Sequence, residues 1–425
     1  MKRIWKWLAA AVLVLVLLLA AVAVALQQWV GSADFRGRVA RQLSVALGAR
    51  VELGRISVDV WPLPAIALEQ VQVRSQPPLS LERVEARPSW LPLLQGRREI
   101  ATLLVRNAVM PQQALAAIAA AFDKGQRGAR HDGSADVGAS GPGLLPHRIV
   151  LDHVTWVYAM GGSSTVDAQV RLDPDGLPGS VKVEVRQGRF QGARASLTRG
   201  EGQWLMQADI GGGTVKGPIR VQPGARGLSV VNAQLETSNV ELSALTERSR
   251  TLTGRLEGQT TLRAEVGGPG AIVDTLQSQT HFTVRHAVLH GIDLVQAVKT
   301  AGTNRGGETP IDTLAGILVT HGRSVQLNNL VATSGQLSAT GNVAMAPNHS
   351  LSGRIAVDLA ARAAAGAIAV PLAVGGTLES PSVMLTQGAL LGAAIGTLVA
   401  PGVGTGAGAS IGDRLGEGLR GLLGK

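Results

Sequence analysis

The spacing of apolar residues changes twice along the chain, and each spacing predicts a different element. From Leu8 to Leu26 the run LAAAVLVLVLLLAAVAVAL holds 19 residues with nothing polar among them. As a helix rising about 1.5 Å per residue it measures about 28 Å, the thickness of a bilayer's hydrocarbon core. From Phe35 the apolar positions fall on every fourth residue, at Val39, Leu43 and Leu47, with Arg36, Arg38 and Arg41 on other faces and Gly48 next. That spacing predicts one amphipathic helix closed by a glycine. Beyond it the period drops to two. Ile56, Val58 and Val60 alternate with polar residues, Pro62 and Pro64 mark a turn or edge, and Ile66, Leu68, Val71 and Val73 follow. The slip of phase at Glu69-Gln70 predicts a β-bulge.

The same alternation returns at Val181, Val183 and Val185, around Leu262, Ala264 and Val266, around Phe282, Val284 and Val288, and at Ile355, Val357 and Leu359. Glycine-rich turns between such runs imply roughly 18 to 20 strands, each with one apolar face. Short helices interrupt them at PQQALAAIAAAF from Pro111 and near Val240 to Glu247 and Asp293 to Ala301. Lys124 to Pro146 mixes Gly, Ser, charge and Pro without a period, which reads as a surface linker. The expected organisation is therefore a terminus at 1–7, an anchor at 8–26, a β-rich segment at 27–123, a linker at 124–146, a second β-rich segment at 147–387 and a tail at 388–425.

The tail has its own period. Gly388, Gly392 and Gly396, then Gly404, Gly408 and Gly412, fall at intervals of four on either side of Pro401 in a stretch, Ser380 to Gly412, with no charge. Each helical Gly costs about 1 kcal/mol against Ala, so two small-faced helices need a membrane or a close partner to persist. Ile411, Leu415, Leu419 and Leu422 then line one side of an amphipathic end.

Composition adjusts this picture in three ways. Aromatic residues are 3% of the chain, so any core is aliphatic. The formal net charge is +10, but Lys2, Arg3, Lys6, Arg36, Arg38, Arg41 and Arg50 against Asp34 put +6 in the first fifty residues and leave +4 for the rest. A basic stripe for nucleic acid is not expected on such a body. Lys2, Arg3 and Lys6 before the apolar run favour a cytoplasmic start, and Trp5, Trp7 and Trp29 bracket it as an interfacial belt. The rest of the chain is then exported on a single-pass anchor. A cleaved signal peptide is the rival reading, but the run exceeds the ~7 to 15 residues of an h-region.

Candidate chemistry is sparse. There is no Cys, no phosphate-cradling GxxxxGK[ST], no GxSxG elbow and no HExxH helix, and no catalytic, cofactor or metal residue is assigned. His281, His286 and His290 cluster locally, but strand geometry sets His281 on the face opposite the other two, which lie about 13 Å apart.

Several segments together resemble the AsmA family of bacterial envelope proteins. They are the anchor, the helix ending at Leu47-Gly48, VELGRISVDVWPLPAIALEQVQV, HAVLHGIDLVQAV at 286–298, LSATGNVAMAPNHSLSGRIAVDL at 337–359, and VPLAVGGTLESPSVML. The resemblance implies a mainly β fold in which a transmembrane helix precedes an elongated, curved, antiparallel β-groove with a few short helices. It also implies a role in moving phospholipids between inner and outer membranes, with acyl chains against Ile56, Val58, Val60, Val181, Val183, Val185, Ile355, Val357 and Leu359. Phospholipids and the inner membrane are the expected partners, and the tail offers a contact with the outer membrane or a protein in it. The alternative is an envelope scaffold or assembly factor for outer-membrane proteins that carries no lipid.

Overall fold

The structure is a computed structural model of the 425-residue chain. It describes residues 32–59, 65–89, 92, 99–118, 146–159, 161–188, 190–225, 228–245, 251–266, 271–299, 306–359, 369–378, 380–386 and 388–389. The expected anchor at 8–26, the linker as far as residue 145 and the tail beyond Ala389 lie outside these residues. Among those described, no helix is long and apolar enough to cross a membrane.

The protein is mainly β with few helices, and it divides into two compact units at Arg199 and Gly200. In the first unit the amphipathic helix forms at Ala33–Leu47, where the four-residue spacing places it. Ser32 caps it by accepting from the Phe35 N–H at 3.3 Å. Gly48 ends it at φ 63°, a left-handed conformation that costs glycine least. Then come β1 (Arg50–Glu52), β2 (Arg55–Asp59), β3 (Ala65–Arg74), β4 (Leu79–Pro88) and β5 (Ile100–Pro111), a helical turn over 112–118, and β6 (Arg148–Val157), β7 (Ser163–Leu172), β8 (Pro178–Gly188) and β9 (Arg194–Arg199). Both β1 and β2 pair with β3, and β3 to β9 pair in succession. All these pairings are antiparallel except β5 with β6, whose parallel register sets Val105 beside Leu151. Strands on either side of the 124–146 segment are thus hydrogen-bonded neighbours, joined by the long connection that a parallel pair requires.

The second unit is a meander of β10 (Trp204–Ile210), β11 (Gly213–Pro223), β12 (Ser229–Glu241), β13 (Leu252–Val266), β14 (Gln277–His290), β15 (Glu308–His321), β16 (Ser324–Thr333), β17 (Leu337–Met345), β18 (Leu351–Leu359), β19 (Val370–Gly376) and β20 (Pro381–Leu385). Each strand pairs antiparallel with the next. The helix expected near Asp293 forms at Leu294–Lys299. Near Val240 the expectation is corrected: β12 runs on through Glu241, and among the described residues only Leu242–Ala244 turn, as a 3₁₀ helix. Val240 is fully buried on the sheet's apolar face, so continuing the ladder buries it where a helix would turn it away.

Bulges recur at mid-strand. Gln70, Asn107, His153, Asn239, His286 and Asn329 all take positive φ between 46° and 54° inside β3, β5, β6, β12, β14 and β16. The alternation read at Glu69-Gln70 therefore marks a real bulge. Such a residue leaves its N–H outside the ladder, and an unpaired buried N–H costs about 1–3 kcal/mol. The neighbouring strand supplies an acceptor to two of the six: the His153 N–H donates to Asp167 Oδ1 at 2.8 Å and the Asn329 N–H to Asn342 Oδ1 at 2.9 Å. At the register shift between Thr253 and Arg255 on β13, the Gly254 N–H likewise donates to Glu241 Oε1 at 3.1 Å. Gly254 is also sterically required, because a Cβ there would lie 2.8 Å from Val284 Cγ1. The bulge at His286 overturns the histidine geometry expected from a regular strand. One inserted residue resets the alternation, so His281 and His290 share the polar face, far apart, where His281 meets Gln279 at 3.1 Å and His290 meets Glu308 at 2.8 Å.

Candidate functional site

Cross-strand register turns the alternating residues into continuous apolar rows, because directly opposed residues point to the same face. In the second unit, Val240, Leu256, Val284, Leu314, Ala332, Ala339, Val357 and Val370 stand opposite one another across eight strands. Four residues farther along most of these strands, about 13 Å away, a second row crosses the same face. It comprises Leu235, Thr260, Thr280, Leu318, Leu327, Val343, Gly353, Val374 and Val383.

The two rows differ in what lies above them. The first belongs to a packed cluster with Leu294 and Val298 of the short helix, Ile311, Leu359, Leu372 and Leu385. Within it Leu372 is fully buried and Val284 and Val357 are 1% exposed, and Val240, at the end of the row, is fully buried outside the cluster. No residue of the second row is buried: all nine are intermediate. Its two polar members satisfy each other, with Thr260 Oγ1 2.9 Å from Thr280 Oγ1. One half of the face is therefore a closed core, and the other half is an apolar floor with no layer closing it among the described residues.

The first unit repeats the arrangement. Val51, Val71, Val73, Leu79 and Ala114 form a buried cluster under the Ala33–Leu47 helix and the 112–118 turn, with Leu43, Leu47, Leu115 and Ile118 against it. Toward the other strand ends an uninterrupted row crosses eight strands: Val58, Ile66, Ala86, Leu103, Ile149, Val170, Val181 and Leu197. None of its members is buried, and Ile66 is 50% exposed.

The lipid-facing candidates read from the sequence sort onto these rows. Val58 stands at one end of the open row in the first unit and Val181 on its next-to-last strand, and Ile56 and Val183 hold the same places in the row beside it. Val181, Val183 and Val185 are half-buried, whereas Ile56 is 2% exposed. Ile355 is half-buried beside the closed cluster, and Val357 and Leu359, at 1% and 9% exposure, are members of it. Val60 lies outside the described residues, as do Gly392, Gly396, Gly404, Gly408 and Gly412; Gly388 is described, in a helical turn that packs Ala389 into the same cluster. The sequence reading missed Leu103, Ile149, Leu318 and Leu327, which are apolar in sequence but join the open rows only through register.

Behind the open half of the first unit runs a chain of ion pairs. Glu85, 4% exposed, lies 2.6 Å from Arg83, 3.1 Å from Arg87 and 3.8 Å from Arg106. Arg106 continues to Asp152 at 3.6 Å, and Arg186 joins Asp167 at 2.6 Å to Glu184 at 3.1 Å. Burial pushes the Glu85 carboxyl up, but the Arg83 and Arg87 hydrogen bonds and the Arg83 and Arg106 charges outweigh it and hold the group below the usual range. Asp167 is likewise lowered, burial being outweighed by the His153 N–H and by Arg186. Asp152, His153 and Asp167 bring three ligand-type atoms within 4.8 Å. Both carboxylates are already neutralised by arginines, which disfavours a bound cation.

Comparison with known proteins gives a family match at the N-terminal end. The AsmA family model matches residues 1–116, which supports an AsmA-family assignment. No curated protein matches the chain, and neither does any solved structure.

Proposed function

Taking the AsmA-family assignment of residues 1–116 as premise, we propose that the chain is an inner-membrane-anchored, periplasmic envelope protein that shelters lipid acyl chains and supports phospholipid passage between the inner and outer membranes. One observation carries the reading: among the described residues, a mostly apolar row eight or nine strands long in each unit has no covering layer, beside a cluster that is closed. Each methylene taken from water onto such a floor recovers roughly 0.8 kcal/mol, while the headgroup stays hydrated. The floor supplies no charge to orient a reaction, and its one polar pair is internally satisfied, so binding rather than catalysis fits it.

Photocrosslinking residues placed singly at Val170, Leu318 and Val357 of the full chain in native membranes test this. Phospholipid adducts are expected at Val170 and Leu318 and not at Val357. Adducts to protein alone at the two open positions would replace the lipid reading with that of an envelope scaffold.

A further inference from the structure

The polar side of the second unit carries a row as regular as the apolar ones. Arg220 on β11, Asn232 on β12, Arg263 on β13, Gln277 on β14 and His321 on β15 oppose one another directly. They line an open pocket of about 410 Å³ to which no carboxylate contributes.

Charge balance sets this place apart from its surroundings. Lys216, four residues earlier on β11, faces Glu236 directly and lies 3.5 Å from it. Arg255 on β13 faces Glu241, also at 3.5 Å. At Arg220 and Arg263 the opposed residues are instead the neutral amides Asn232 and Gln277. Among the described residues neither guanidinium has an ion pair or a hydrogen bond. Two guanidinium groups thus rise two strands apart, about 10 Å between Cα atoms, with an amide between them. Arginine side chains at that spacing reach one group held between them, and their planar forks fit the oxygens of a phosphate. The amides add donors without adding charge.

We infer that this pocket binds a phosphate-bearing ligand across Arg220 and Arg263, on the face opposite the apolar floor and independently of it. The two sources of that chemistry are a lipid headgroup and a soluble phosphorylated compound.

The test titrates the full chain, held in amphipol, against inorganic phosphate and against a short-chain phosphatidic acid below its micelle concentration, following ³¹P line broadening. The double variant Arg220→Gln/Arg263→Gln is expected to weaken binding by about 10-fold or more, since it removes two charge-assisted contacts. Lys216→Gln, whose charge is already matched by Glu236, is expected to leave it unchanged. Preference for phosphatidic acid identifies a headgroup site, and equal binding of the two probes identifies a soluble ligand; either supports the assignment. Binding that is absent from the unaltered protein, or equal in the double variant, overturns it. Circular dichroism checks the fold, and Arg263→Lys, which keeps the charge but loses the fork, should fall between the extremes. Lipid crosslinking at Leu318 reads the apolar floor separately, so the two proposals fail separately.

Discussion

In the second unit, two rows of side chains cross the same face of the same strands about 13 Å apart, and only one of them is a core. The row through Val284, Val357 and Val370 has a helix over it, and those three residues are at most 5% exposed; the row through Leu318, Leu327 and Val343 has none buried. Composition does not separate them, since both are mostly aliphatic. The difference is a covering element, Leu294–Lys299, contributed by the connection between β14 and β15. Alternation records which face is apolar; it does not record whether anything lies on that face.

This contrast predicts its own largest effect. Leu372, fully buried in the covered half, should lose about 2–5 kcal/mol on replacement by Ala, because the void left there cannot be filled by solvent or lipid. Urea unfolding would measure it. A loss under about 1 kcal/mol would mean that the covered half is no more a core than the open half.

Behind the open row of the first unit, Glu85 is the buried centre of the ion pairs, and its removal tests whether they hold that half in place. Ala67 and Leu104, directly opposite it on β3 and β5, are buried with it. Glu85→Gln would leave three guanidinium groups around a neutral amide and should cost roughly 1–3 kcal/mol at neutral pH. The pH dependence has a defined sign. The folded carboxyl titrates below its unfolded value, so its contribution is present above the unfolded pKa and is lost as pH falls through the folded one. Wild type should therefore lose more stability than Glu85→Gln on acidification through the carboxylate range. Parallel curves would remove Glu85 from the support of the open half.

On β12 and β16 a bulge, at Asn239 and Asn329, lies between the two rows, and Asn342 tests the second of them. Its carboxamide accepts from the Asn329 N–H at 2.9 Å, at the register shift between Leu327 of the open row and Leu330. Asn342→Ala should cost about 1 kcal/mol by orphaning that donor, and amide exchange at Asn329 should quicken. An unchanged exchange rate would mean that the bulge holds without its partner.

Much of this was legible in the sequence, for reasons that differ by element. Period four gave the Ala33–Leu47 helix and its glycine stop, because 3.6 residues per turn leaves a direct imprint. Period two gave the β class, and the slip at Glu69-Gln70 gave one bulge. The other bulges are silent: at His286 the apolar phase passes from Phe282 and Val284 to Ala287 and Leu289, but Val288 is apolar too and hides the slip, so regular alternation puts the histidines on the wrong faces. Register was silent too. Nothing in the run around Val105 states that it pairs in parallel with Leu151 across the long connection, and without register Leu103, Ile149 and Leu318 are ordinary strand residues. Val357 and Val181 look alike in sequence, yet one is 1% exposed and the other half-buried, because covering is a long-range property.

The smallest expected change in stability is the sharpest test of the comparison. Leu318 stands in the open row between Thr280 and Leu327 and is already part-solvated. Leu318→Gln keeps most of its volume and sets a polar end where water or a ligand has access, so its cost should be under about 1 kcal/mol. Placed at Leu372, the same substitution would bury an amide with no partner and unfold the covered half. What Leu318→Gln should change instead is occupancy: phospholipid retained by the full chain after extraction, measured by mass spectrometry, should fall while the melting curve stays in place. Should the melting curve drop as far as it does for Leu372→Ala, the open half is a core after all, and the distinction between the two rows is one of exposure without consequence.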